Sequence, residues 1–314
     1  DHAVMAYANK VDVPIHISTQ ANVTNIETVE FYAAFADVMV LSRELSLRQV
    51  AEITREIKRR NITGPSGELV RIEIFAHGAL CMAVSGKCYL SLHSHNGSAN
   101  RGACVQNCRK TYVVTDKEDG TELEIDNEYI MSAKDLCTIG FIDKIVESGV
   151  NILKIEGRGR SVDYVYTTVT AYKEAVNSLQ DGTYSPERVE VWMKSLSTVF
   201  NRGFWDGYYL GRKMGEWNNS YGSKATERKI FIGKGKKYYS NQKVGEFQME
   251  SHSLKTGDTI LITGPTTGHV KTVVSQLRVD DVQVDEVLKG DLFSFPVEEK
   301  VRPSDKLYKI VPVE

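Results

Sequence analysis

The strongest constraint on how this chain folds is an alternation running through its first 180 residues. Short apolar runs at 13–18, 37–41, 70–75, 128–131 and 152–155 read as strands. Segments of helical period at 25–36, 47–60, 134–148 and 162–179 lie between or after them. Strands that take turns with helices of this length predict βα units around a parallel sheet. Two helix starts are spelled out locally. Thr24 with Glu27, and Ser46 with Gln49, have the form of capping boxes. In the second helix Val50, Ile53 and Ile57 are spaced for one buried face. Five strands are legible, whereas a closed (β/α) barrel needs eight. The expected fold class is therefore α/β: a partial TIM-like (β/α) barrel.

The pattern changes near residue 226. Short β-branched or alternating runs at 229–233, 244–249, 259–262 and 307–310 are punctuated by Gly257-Asp258, Gly264-Pro265 and Gly290-Asp291. This predicts a small C-terminal β-barrel. The expected domains are 1–225 and 226–314. Between them, 201–221 is rich in Gly, Trp and Tyr and reads as a structured connector packed on one or both domains, its aromatics favouring inter-domain packing. A length of 314 residues accommodates two domains, and 41% hydrophobic residues can fill two cores. No apolar run approaches the ~20 residues of a membrane span. A net charge of −2 excludes a uniformly basic nucleic-acid coat but not a local basic patch. The chain opens on Asp1-His2-Ala3 without a secretory pattern, so a cytoplasmic protein, or a fragment of one, is expected.

Four of the five cysteines fall in Cys81-x6-Cys88-x15-Cys104-x3-Cys108, directly after the third strand. Loops in that position of βα folds carry function. Four thiolates can surround one metal centre, and soft sulfur selects zinc or an iron–sulfur cluster. The spacing is not the paired knuckle of a zinc ribbon, which favours iron–sulfur. Cys137, expected at a helix, is an alternative to Cys108 as fourth ligand. Gly78, Gly86, Gly97 and Gly102 permit a tight loop. Arg101, Arg109 and Lys110 add positive charge beside the cysteines.

The run from Glu73 to Ser91, with His77, Gly78, Cys81, Gly86 and Cys88, resembles the signature of the collagenase-like peptidase family, also called peptidase family U32. His16-Ile17-Ser18-Thr19-Gln20, Asn100 to Cys104 and Leu153 to Arg158 support the resemblance. It implies a TIM-like barrel beginning with further βα units, so this chain is expected to be N-terminally shortened. It also implies a C-terminal β-barrel like those of translation factors. Some members hydroxylate the wobble uridine of tRNA, and this chain looks closest to them. For that subgroup the resemblance implies a [4Fe–4S] cluster on Cys81, Cys88 and Cys104, with Cys108 or Cys137 as the fourth ligand, and prephenate as co-substrate. Alternatives are a peptidase of the same family and a non-catalytic RNA-binding module.

A peptidase needs a nucleophile with a base. His77 precedes Cys81 by four residues, and Ser85 and Ser91 share the loop, but neither Gly-x-Ser-x-Gly nor His-Glu-x-x-His occurs. Strand ends supply the other candidates. Glu73, His77 and Glu156 are expected as acid–base groups. His16, Gln20, Arg43, Lys154, Arg158 and Arg160 are expected to bind substrate, the arginines meeting carboxylates. For RNA, Lys234, Lys236 and Lys237 lie in a run from 228 to 243 without acidic residues and with Tyr238 and Tyr239 interleaved. Such a run supplies phosphate contacts and stacking platforms.

Overall fold

The structure, a computed structural model, describes residues 1–84, 86–115, 117–118, 122–123, 131–211, 215–220 and 222–313. The chain divides into two compact units. One comprises Asp1–Arg158, Ala171–Met193 and Asn201–Lys224; the other comprises Gly159–Thr170, Lys194–Phe200 and Ala225–Glu314.

In chain order the helices and strands as far as the third strand are α1 (His2–Lys10), β1 (His16–Ile17), α2 (Ile26–Ala33), β2 (Val38–Val40), α3 (Leu47–Arg60) and β3 (Arg71–Gly78). There follow α4 (Tyr89–His95), a ribbon of β4 (Val114–Thr115) and β5 (Glu122–Leu123), β6 (Asp135–Cys137), α5 (Ile142–Glu147) and β7 (Ile152–Ile155). Helices α6 (Val162–Gln180) and α7 (Pro186–Ser197) and strand β8 (Phe204–Trp205) complete the α/β portion.

Strands β1, β2, β3 and β7 pair in parallel, as βα units require. Strand β2 is buried at all three residues, so it reads as a continuous apolar run. Helix α3 starts where the capping box places it: Ser46 Oγ accepts from Gln49 N, and Gln49 Oε1 accepts from Ser46 N. Its buried residues are Val50, Ile53, Thr54 and Ile57, and Asn61 closes it in a left-handed turn. The start of α2 differs from the sequence expectation. Asn25 rather than Thr24 is the cap, accepting from Thr28 N at 2.9 Å, and the helix ends at Ala33.

The expected helix over 134–148 is a larger departure. Asp135–Cys137 form β6, which runs antiparallel to β3 with His77 opposite Cys137, and only Ile142–Glu147 are α-helical. Propensity lost to tertiary pairing: Asp135 is buried against Arg202, with Arg202 N donating to Oδ2 at 3.1 Å, and β8 adds in parallel to β6. The expected strand over 128–131 lies outside the described residues except for Met131, which sits in a turn. The sheet path β1-β2-β3-β6-β8, with β7 on β3, does not close among the described residues. Its antiparallel β3–β6 step also departs from an all-parallel barrel. The fold is mixed α/β, with an open sheet among the described residues.

The second unit contains β9 (Glu227–Tyr239), β10 (Val244–Met249), β11 (Ser253–Lys255), β12 (Thr259–Gly264) and β13 (Gly268–Val273). It continues with β14 (Leu277–Val279), β15 (Val282–Val284), β16 (Glu286–Leu288), β17 (Leu292–Pro296) and β18 (Lys306–Pro312). Eight of them form an antiparallel sheet ordered β13-β12-β18-β9-β10-β17-β14-β15, and β11 pairs with β16. Bulges against β10 and β18 bend the long β9. Gly233 allows the β10 backbone to approach, since a Cβ there would collide with Gln248 O. Phe247, Phe293 and Phe295 stack in the core, with Phe247 and Phe295 centroids 4.7 Å apart. No helix among the described residues is long and apolar enough to cross a membrane.

Candidate functional site

The C-terminal ends of β2 and β3 open onto the cysteine loop, and a cavity of about 350 Å³ lies there. Its walls include Arg43, Cys81, Met82, Trp205, Tyr208 and Trp217. Arg43 lies 4.7 Å over the Phe75 ring and donates to Ala79 O at 3.3 Å. Burial lowers its pKa, and the nearby Cys81, Tyr209, Glu156 and Glu44 oppose that shift. A guanidinium held in this way is stripped of part of its water, which strengthens its attraction for an entering carboxylate.

The loop itself is compact. Ser91 is buried, and its Oγ accepts from Val105 N at 3.1 Å. Asn107 Nδ2 donates to Leu90 O at 3.1 Å, and Tyr112 Oη to Asn107 O at 2.7 Å. Arg109 ties the loop to the sheet: it donates to Leu80 O at 2.8 Å, to Ser132 Oγ at 3.2 Å and to Ala133 O. Burial pushes the Cys108 thiol up. Arg109 pulls it down, and Cys81, Cys104 and Cys88 push it further up. Among the described residues, no three His, Cys, Asp or Glu side chains stand at metal-ligating geometry.

Cys137 is elsewhere. It is buried on β6, with its Sγ 3.6 Å from Met193 Sδ and 3.8 Å from Tyr172 Oη, and burial pushes its thiol up to about 11. His77 is also buried. Its Nδ1 lies 3.4 Å from Tyr172 Oη, and its ring packs against Tyr172 and Phe204.

Other expected site residues divide between two places. Lys154 Nζ lies 2.9 Å from Glu73 Oε1, with Glu73 nearly enclosed. Glu156 accepts from Arg158 N at 2.9 Å, and the Arg158 side chain donates to Gly102 O at 3.0 Å on the cysteine loop. Gln20 is exposed but lies against the same loop: a Cβ on Gly86 would fall 2.5 Å from its Nε2. His16 is exposed at the start of β1. The Arg160 guanidinium lies 3.8 Å over the Phe200 ring.

Residues 201–211 and 215–220 belong to the α/β unit. Trp205, Tyr208 and Trp217 line the cavity, and Tyr209 Oη donates to Phe75 O at 2.8 Å. The aromatic richness of this stretch was the available signal, but its reading as inter-domain packing missed the cavity. Tyr221, like Ser85, lies outside the described residues.

The basic run on β9 is partly neutralised by strand register. Lys234 Nζ lies 3.2 Å from Glu250 Oε1, Lys237 sits opposite Glu246, and Lys243 pairs with Glu298. Lys236 is exposed, while Tyr238 donates to Val297 O at 3.0 Å and is partly buried against the sheet's core.

The chain belongs to peptidase family U32, whose family model matches residues 1–219. It is similar to a protein of Porphyromonas gingivalis named collagenase, with 57% identity over 98% of this chain and 75% of that protein. It is 37% identical to an uncharacterized protease of Methanocaldococcus jannaschii, over 98% of this chain and 75% of that one. It is 29% identical to the tRNA hydroxylation protein P1 of Bacillus subtilis, over 95% of this chain and 69% of that protein.

Proposed function

We propose that this chain is an RNA-modifying hydroxylase that acts on a wobble uridine of tRNA, with a [4Fe–4S] cluster held by Cys81, Cys88, Cys104 and Cys108. The observation that carries this reading is the placement of Cys81, Cys88, Cys104 and Cys108 in one loop, with Cys81 on the wall of the same cavity as Arg43. Four thiols are the donor set that such a cluster takes, and when bound the cluster supplies electron transfer. Cys108 suits the fourth position better than Cys137, whose neighbours are Tyr172 and Met193.

In this reading Arg43 receives a carboxylate of the small anionic co-substrate, prephenate, in the cavity lined by Trp205, Tyr208 and Trp217. Glu73 is held by Lys154 and His77 lies beneath Tyr172 and Phe204, which leaves Glu156 as the acid–base group nearest the loop. A reducing compartment, the cytoplasm, suits thiolates kept for metal. The tRNA hydroxylation name carried by a relative at 29% identity supports RNA as substrate. A second reading, a peptidase with exposed Cys81 as nucleophile, is favoured by the 57% identity to a protein named collagenase.

Anaerobic purification followed by iron and sulfide analysis tests the first reading. About four irons and four sulfides per chain are expected, lost when all four loop cysteines become Ser and kept in Cys137→Ser. Cleavage of denatured collagen retained by a metal-free quadruple Ser variant would overturn the cluster-based mechanism. Proteolysis abolished by Cys81→Ser alone, in protein that never holds iron, would establish the second reading instead.

A further inference from the structure

Between Ile74 and Thr115 the chain contains no Asp or Glu, yet it contains Lys87, Arg101, Arg109 and Lys110. Arg109 is turned inward as the staple described above, whereas Lys87, Arg101 and Lys110 are exposed. Tyr89, at the first turn of α4, is 77% exposed, and His93 on the same helix is exposed as well. Arg158, also exposed, is fixed at Gly102 next to Arg101. These residues sit on one compact knot, because Ser91 and Leu90 of α4 hold Val105 and Asn107 from the following turns. Its outer surface therefore combines cations and an exposed aromatic ring on a segment without a single carboxylate. An exposed Tyr ring has no role in stabilising the loop from within, and solvent contact disfavours it.

We infer that the outer face of the cysteine loop, rather than the basic edge of β9, is where single-stranded RNA docks, with Lys87, Arg101 and Lys110 on phosphates and a base stacked on Tyr89. The inference rests on the RNA reading above and assigns its contact surface. Charge complementarity decides between the two basic regions. Lys234 and Lys243 of the basic run are ion-paired with Glu250 and Glu298, and Lys237 sits opposite Glu246, while no carboxylate lies among the residues from Ile74 to Thr115 that carry the loop cations. A polyanion gains from the second arrangement without displacing existing pairs. Stacking on Tyr89 adds preference for a nucleic acid over other polyanions.

Binding of a fluorescent tRNA anticodon stem-loop to the full chain, titrated against salt, tests this. Lys87→Gln/Arg101→Gln/Lys110→Gln is expected to weaken binding about tenfold or more and to reduce the slope of log affinity against log salt by about 2. Tyr89→Ala is expected to cost about fivefold or more, with Tyr89→Phe close to wild type. Lys234→Gln/Lys236→Gln/Lys237→Gln is expected to change affinity less than about threefold. The reverse ranking overturns the inference and leaves the RNA reading standing; a wild-type chain that binds no RNA overturns both. If the triple loop variant loses iron or its thermal transition, lysine acetylation of the wild type replaces it. Bound RNA should protect Lys87 and Lys110, and unprotected lysines overturn the inference.

Discussion

The cysteine loop and β9 carry similar basic residues but handle them in opposite ways. On β9 and the residues just after it, Lys234 meets Glu250, Lys237 sits opposite Glu246 and Lys243 meets Glu298 once the strands pair. On the loop Lys87, Arg101 and Lys110 remain exposed. A run of lysines in sequence therefore says little about surface charge until the opposite strand is known. The two regions differ equally in what holds them. The β9 sheet encloses a core of stacked phenylalanines, whereas the loop is held by backbone hydrogen bonds, Ser91, Asn107 and the Arg109 staple.

The largest expected effect lies in the sheet. Phe247→Ala removes a fully buried ring stacked on Phe295 and should destabilise the protein by about 3–5 kcal/mol in denaturant titrations. Tyr89→Ala on the loop should stay within about 0.5 kcal/mol. An equal loss at both positions would break the contrast. Next is Lys154→Met, which leaves the Glu73 carboxylate enclosed without its ammonium partner. The expected cost is about 1–3 kcal/mol, because Lys154 is itself partly solvated, and Glu73→Gln in the same chain should recover part of it.

The smallest effect is a pH dependence confined to the second unit. His269 stacks on Tyr166 with centroids 4.4 Å apart, and burial lowers its pKa below the ordinary value near 6.5; Lys271 and Lys229 push the same way and Asp163 opposes. The unfolded chain then binds the proton first. The contribution is intact above about pH 6.5 and is lost as pH falls toward the lower folded value. Thermal melts from pH 7.5 to 5.5 should show this loss in wild type and a flatter profile in His269→Phe. An unchanged profile in the variant would remove His269 from the account.

Several local features could be read from sequence because neighbours in the chain decide them. Ser46 and Gln49 form their capping box within one turn, and Val50, Ile53 and Ile57 line one helix face wherever the helix is placed. The clustering of Cys81, Cys88, Cys104 and Cys108 in one stretch of chain was likewise visible, because it is a property of the sequence alone. The aromatics at 205, 208 and 217 were visible as a composition but not as cavity walls, because their position depends on β8 joining β6.

What the amino-acid order determined alone was the set of parallel βα units, the capped helix α3, the acid-free cysteine loop and the change to β-structure near residue 226. Each depends on residues a few positions apart. Tertiary structure decided that 135–137 became a strand, that Cys137 lies beside Tyr172 and Met193, and that Lys234 and Lys243 found acidic partners. These outcomes turn on partners distant in sequence. Burial and pairing across a sheet outweigh the few tenths of a kcal/mol by which local propensities differ.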